Sequence, residues 1–482
     1  MKKKEKGLSA WQLTMMALGT VIGGSFFLGS SVAINAAGPA ILISYVIGGL
    51  LVYFILFALS EMTVANPDSG SFRTFAANAF GQGVGFVVGW VYWTGIVLAM
   101  SSEATAVSIL LRDWIPNISL PLLGSGIIIV VTLLNLLGAD KLSKLESGLA
   151  AIKLFAILSF VLLGIVLMAG VFTQRGAVGL GDLTREPLMP GGIRSIAGSM
   201  LIVMFSYAGF EIIGLAASEA ENPKETIPKA IRYTVFCLVG FYILAIAILL
   251  PLIPTAQINE SISPFVAALN LHGFTWAGTA INLVLITAIL STMLAAMFGL
   301  GRMMRSLAEE GMAPKWLKDH TDVPYRGLIF SGFSMLLGLG LGLLLPRVYL
   351  FLISSGGFAL LFTYVVIMAT HIRFRKKNGC PPDGKCQLWG FPFTSLIVLL
   401  CLVLTILSMP FVSGQTSGLI AGIALLAFYV ACYLAMKLYH RLQTNAHTRH
   451  RRVFKRYQTG LSAESAEELT DLPKEQADQD ES

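Results

Sequence analysis

Charge is what this chain has least of. Only 13% of its 482 residues are Asp, Glu, Lys or Arg, against roughly 25% in soluble globular domains. With 55% hydrophobic residues and a mean hydropathy of +0.74, a soluble fold is excluded at this length. Reactive side chains are sparse too: six histidines and five cysteines. Cys237, Cys401 and Cys432 fall inside apolar runs, where a thiol acts as a small hydrophobe. Cys380 and Cys386 flank PPDGK in a loop expected on the cytoplasmic side, where thiols stay reduced. A zinc site wants about four ligands and only His371 is near that pair in sequence, so no metal is expected. No Walker loop, HExxH or GxSxG occurs, which argues against an enzyme, a primary pump and any bound cofactor. No filter or repeated pore-lining ring marks a channel. MKKKEK runs straight into an apolar segment without a small-residue cleavage site, so no cleavable signal peptide is expected.

What the chain has instead is length without charge. About twelve apolar segments, the first at 12–35 and the last at 416–438, are long enough to cross ~30 Å of hydrocarbon. The expected fold is therefore an all-α polytopic membrane protein embedded in the lipid bilayer. Lys and Arg set its orientation. With the N-terminus inside, 28 of them fall on the cytoplasmic side and five opposite, at Arg112, Arg175, Arg185, Arg194 and Arg347. Both termini are thus expected in the cytoplasm, and the net charge of +7 needs no nucleic-acid partner. The organisation read from these segments is a tail at 1–11, five spans over 12–172, five over 193–371, two over 391–438 and a tail over 441–482. The tail turns from basic (RHRRVFKRY) to acidic, with eight acids against one Lys after residue 457, a composition expected to be disordered.

Two spans are interrupted. In the first, Val21-Ile22-Gly23-Gly24-Ser25 places small residues at mid-membrane depth; in the sixth, Ser206, Ala208, Gly209 and Glu211 cluster likewise. Lipid offers a peptide group no hydrogen bond, so unwound backbone at that depth needs a protein-lined cavity. Five spans separate the two interruptions, the spacing expected of two inverted five-helix repeats with discontinuous first helices. A broken helix leaves free N–H groups at one end and free carbonyls at the other, with partial charges to match. Two facing breaks suit a small zwitterion. The amides of Gly23, Gly24 and Ser25 are assigned to its carboxylate, and carbonyls near Val21, Phe205, Ser206 and Ala208 to its ammonium. Ile22, Phe26 and Phe205 provide apolar surroundings that suggest a neutral side chain.

GTVIGGSFFLGS, FSYAGFEIIGLAASEAENPKETIPKAI and GRMMRSLAEEGMAPKW resemble the signature segments of the amino acid permeases of the amino acid–polyamine–organocation superfamily. The likeness runs over roughly residues 8–440. It implies secondary active transport of an amino acid on a ten-helix inverted-repeat (LeuT-like) core with two further helices. It also implies that Phe205 closes over the substrate. One departure is that the family often has Thr where this chain has Gly24 and Gly where it has Ser25.

Three ionisable residues lie within the spans, where each is costly unless partnered. Lys153 stands about one and a half turns into the fifth. Resemblance to proton-coupled members places its ammonium where sodium-dependent relatives hold a sodium ion, near the first break and the hydroxyls of Ser291 and Thr292. A proton there would bias the balance between outward- and inward-open states. Glu211, beside the second break, is expected to hold the broken segments together by accepting hydrogen bonds. Glu103 in the third span would cap a network or influence substrate choice. Glu61 is read as interfacial, and GRMMRSLAEEGMAPKWLKDH as a separate amphipathic helix on the cytoplasmic surface. The reading that results is uptake of a neutral amino acid by proton symport across the plasma membrane. The rivals are an obligate exchanger, for which Lys153 would be structural, and a membrane amino-acid sensor.

Overall fold

The computed structural model describes residues 7–442 apart from 69, 113, 171–176, 260–261, 320, 322, 345–346, 381–385 and 440, and without the side chains of 139–147, 182 and 218. The tail expected over 441–482 therefore lies almost wholly outside the described residues. By its contacts the chain divides at Leu426–Ala427, and both interrupted helices belong to the first unit. Among the described residues every regular element is helical, and the one β-bridge pairs Leu8 with Ala220.

The first interruption is visible as a change of backbone. Helix α1 (Ala10–Val21) starts on a reciprocal cap, in which Ser9 Oγ accepts the Gln12 N–H and the Gln12 side chain accepts the Ser9 N–H. It stops where Ile22 and Gly23 turn extended, and the chain re-enters as α2 (Gly24–Phe27) and α3 (Gly29–Ala37). A 3-10 turn through Gly38-Pro39-Ala40 leads into α4 (Ile41–Ala65). Helix α5 (Ser71–Phe80) is amphipathic and short, and Gly81, at φ +98°, turns the chain into α6 (Gln82–Leu111). Then come α7 (Leu120–Asn135) and α8 (Ala139–Ala169).

The second half opens with α9 (Ile193–Tyr207), which breaks at Ala208 and Gly209 and resumes as the one-turn α10 (Ile212–Leu215). Gly209 has φ +110°, a conformation that L side chains rarely adopt. A Cβ there would also come within 3.2 Å of the Thr20 backbone oxygen, so the two breaks touch at this glycine. Helix α11 (Pro223–Leu252) begins on a proline, whose missing N–H is harmless in a first turn. Helices α12 (Pro264–Leu271), α13 (Thr275–Glu309), α14 (Tyr325–Leu343), α15 (Val348–Asn378), α16 (Phe393–Ser408) and α17 (Thr416–Tyr439) complete the chain.

Ten helical stretches are long and apolar enough to cross a membrane. The sequence suggested about twelve; the count differs because the first span is cut at Ile22–Gly23 and because α7 has only 16 residues. The broken segment Ile193–Leu215 is 83% buried and Val348–Asn378 78%, against 28% for Phe393–Phe411, so α9, α10 and α15 stand at the centre and α16 at the edge. Large apolar side chains left exposed on α8, α14 and α16, such as Phe155, Phe333 and Leu404, face what would be lipid. This is a multi-pass membrane protein. Two expectations need correction. Gly301–Glu309 is not a separate surface helix but the last part of α13, since nothing after Leu300 interrupts the helical run. Arg73 of α5, fully buried, pairs with Glu310 and donates to Ser306 Oγ, tying α5 to that extension. Cys380 and Cys386 are joined in a disulfide, their Cα atoms 5.1 Å apart, rather than standing as free thiols. Six residues of separation bring the two side chains together, which spacing alone did not reveal.

Candidate functional site

The break between α1 and α2 exposes two sets of backbone groups, and each has a charged side chain on it. At the amide end, Glu103 of α6 accepts the Gly24 N–H at 2.6 Å and the Ser25 N–H at 3.1 Å. Helix N-termini favour negative charge, and the glycine at 24 lets the carboxylate approach, because a Cβ there would lie 2.6 Å from Glu103 Oε2. At the carbonyl end, Lys153 of α8, fully buried, donates to the Gly19 carbonyl at 2.5 Å and to Thr292 Oγ1 at 2.8 Å. Thr292 has one hydroxyl hydrogen, and its shortest acceptor is the Ile22 carbonyl at 2.7 Å. The hydroxyl thus relays the Lys153 charge to the last carbonyl before the break. Ser291, the other expected partner, makes no hydrogen bond through its Oγ. Neighbouring helix positions point about 100° apart, and the residue that faces Lys153 is Thr292.

The second break is held by Glu211. Its Oε2 accepts the Gly209 N–H and the Tyr364 hydroxyl, each at 3.1 Å, and Tyr92 interacts with the same carboxylate. Phe210 stacks on Tyr364, 5.1 Å between ring centroids. Glu211 is fully buried and does not reach the cavity between the breaks.

That cavity measures about 30 Å³ and is walled by Thr20, Val21, Ser25, Glu103, Phe205, Ala208 and Thr292, with Ile96, Met100, Ala296 and Leu360 supplying apolar surface. Its room is that of a water or two, so an amino acid enters only if side chains withdraw. Of the residues expected to bind, Val21, Ser25, Phe205 and Ala208 line it, while Ile22, Gly23, Gly24 and Ser206 stand behind the wall. Phe26 faces away, stacked at 3.7 Å and 4° on Tyr242 of α11. Tyr242 carries no motif and does not stand out in the sequence, yet its hydroxyl lies 3.2 Å from the Ser206 carbonyl and 3.5 Å from that of Val21. Two of the carbonyls assigned to an ammonium are therefore already touched from the side opposite the cavity.

A further buried cluster also went unread. Glu61, expected to be interfacial, is fully buried and accepts the N–H groups of Gln387 and Leu388 at 2.6 and 2.8 Å. It also meets His371 Nε2 at 2.7 Å and Arg375 at 3.3 Å. This network joins α4 to α15 and the segment before α16. On the α1 side, Leu8 exchanges backbone hydrogen bonds with Glu219 and Glu221, and Arg302 pairs with Glu219.

Comparison with known proteins places this geometry. The family model described as Amino acid permease matches residues 12–449. A gamma-aminobutyric acid permease of Bacillus subtilis (strain 168) is 33% identical over 88% of this chain and 93% of its own length. A gamma-aminobutyric acid permease of Escherichia coli (strain K12) is 32% identical over 88% and 92%. The probable threonine/serine transporter YbxG of Bacillus subtilis is 30% identical over 92% and 97%. With a match that runs from the first broken helix past the last span, the chain belongs to the amino acid permease family of membrane transport proteins.

Proposed function

We infer that this protein takes up small neutral amino acids by proton symport, through alternating access around the two breaks. The observation that carries the reading is the pair of opposite charges on one interrupted helix: a carboxylate on the amides of Gly24 and Ser25, an amine on the carbonyl of Gly19. These are the groups that a zwitterion's own two ends would take. The substrate carboxylate displaces Glu103 from the amides. Glu103 is then a buried carboxylate without its donors, an arrangement costly enough that it must gain a proton or a cation. The substrate ammonium and a proton from bulk are the two species at hand, which ties substrate entry to proton entry. Lys153 acts at the other end: losing its proton weakens its hold on α1 and frees that half-helix to move.

Substrate class follows from the wall. Ile96, Met100, Phe205, Ala296 and Leu360 present no charge to a side chain, so a neutral, small one fits, and Phe205 is placed to close over it. The names of the relatives denote γ-aminobutyrate and threonine or serine, all small zwitterions without a net charge. The 28-to-5 division of Lys and Arg supports a cytoplasmic position for both termini in the cell membrane.

The test is uptake into proteoliposomes of labelled L-alanine, L-threonine, γ-aminobutyrate, L-glutamate and L-lysine, in sodium-free buffer, with and without an inward proton gradient. Proton-dependent accumulation of the neutral compounds is expected. Uptake only into vesicles preloaded with amino acid would replace symport by exchange, and no uptake at all would leave a sensor.

A further inference from the structure

At the end of the bundle where α3 stops and α9 and α15 begin, a second cavity of about 600 Å³ opens, within the range of small-molecule sites. The segment after α16 closes one side. Arg194 and Arg347 line it, and no acidic residue does. Neither arginine is in an ion pair among the described residues. On the same wall stands Gln415, 2% exposed. Its amide orientation is fixed, because Nε2 donates to the Gly198 carbonyl at 3.0 Å. Its Oε1 is consequently a buried acceptor, and it has no donor. Buried acceptors are seldom left so in native structures.

We propose that this cavity is a second binding site for a zwitterionic amino acid, a staging site used before the break is reached. The two guanidiniums take the carboxylate, as arginine's planar fork is suited to do. Gln415 Oε1 takes the ammonium, with the Asn35 side chain beside it on the wall. The location fits the role. Leu350 lines the cavity, and its neighbour Tyr349 donates to the Gly24 carbonyl at 3.3 Å. Ile202, Ile353 and the Tyr349 hydroxyl close around Gly29 between the two cavities. An amino acid held at Arg194 and Arg347 is thus one gate away from the helix whose amides Glu103 occupies. The division of Lys and Arg also puts both arginines on the non-cytoplasmic side. The direction of passage rests on the proposed transport; binding at the site does not.

Equilibrium binding of tritiated L-alanine and γ-aminobutyrate to the full-length protein in nanodiscs separates the two ideas, with Arg194→Gln/Arg347→Gln beside wild type. Both arginines are exposed, so the variant is expected to fold. A fall from two bound molecules per chain to one supports both sites. A fall from one to none keeps the staging site and removes the reading of the central cavity. An unchanged stoichiometry overturns the proposal. In uptake, the double variant is expected to need about tenfold more substrate for half-maximal rate at an unchanged maximum, with Arg→Lys at both positions restoring most of the loss. Competition by acetate as strong as by L-alanine would reduce the site to a simple anion site and overturn the zwitterion claim.

Discussion

Exchanging Glu103 for Gln alters one atom and almost no volume, and its effect on affinity has a definite sign. In the structure the two carboxylate oxygens each accept one backbone N–H, from Gly24 at 2.6 Å and Ser25 at 3.1 Å. Hydrogen bonds to a charged partner contribute about 1.5–3 kcal/mol each, neutral ones about 1. A glutamine keeps one neutral bond and turns an NH₂ toward the other N–H. The side chain's grip on the helix end therefore weakens by roughly 2 kcal/mol. If the substrate carboxylate must take these amides from residue 103, that loss appears as tighter binding. Every ~1.4 kcal/mol is tenfold, so Glu103→Gln is expected to lower the dissociation constant for the transported amino acid by at least roughly tenfold. The same variant removes the carboxylate that gains a proton on displacement, so uptake becomes less dependent on the proton gradient. Equilibrium binding and gradient-driven uptake on one preparation read both effects. Affinity unchanged or weakened, in a variant that unfolds at the wild-type temperature, would refute the competition and return Glu103 to a purely structural cap.

Lys153→Ala removes the donor on the Gly19 carbonyl and is expected to abolish proton-driven accumulation while leaving exchange between preloaded and external amino acid; full accumulation by the variant would sink the coupling role. Gly209→Ala forces a Cβ to within 3.2 Å of the Thr20 backbone at φ +110°, so loss of uptake greater than tenfold is expected even where the protein inserts and purifies. Glu61→Ala leaves His371 and Arg375 buried without their carboxylate. Breaking a buried pair in this way costs about 3–5 kcal/mol, to be seen as a clear fall in the unfolding temperature in detergent, whereas an unchanged midpoint would show the network to be dispensable.

How much of the molecule was legible in the sequence depended on how far each feature reaches along the chain. The spans are local, since hydropathy over some twenty residues decides them, and they were readable except where a break or a short helix cut one. The breaks are local too: small residues inside an apolar run mark them without knowledge of any partner. The partners are not local. Glu103 lies 79 residues from Gly24, Thr292 270 from Ile22 and His371 310 from Glu61. Nothing near Glu61 in sequence tells that it is buried. The choice of Thr292 over Ser291 is a matter of one hundred degrees around α13, fixed only by packing. Tyr242 is one tyrosine among thirteen, and its hydroxyl becomes meaningful only when α11 brings it to two broken helices at once.

Glu103 and Tyr242 have one physical origin in common. The sequence assigned the free amides and carbonyls of the first break to a ligand, as though they waited for it. Buried backbone groups do not wait, because an unpaired one costs about as much as a lost hydrogen bond. A protein that must release its substrate on the far side of the membrane has to satisfy those groups with side chains of its own whenever the substrate is elsewhere. Glu103 does this at the amide end, Lys153 and Thr292 at the carbonyl end, and Tyr242 behind Val21 and Ser206. Affinity is then the difference between substrate and surrogate rather than the full strength of either. A small difference is what a carrier needs, since a site that held its cargo with the whole of those hydrogen bonds would not let it go.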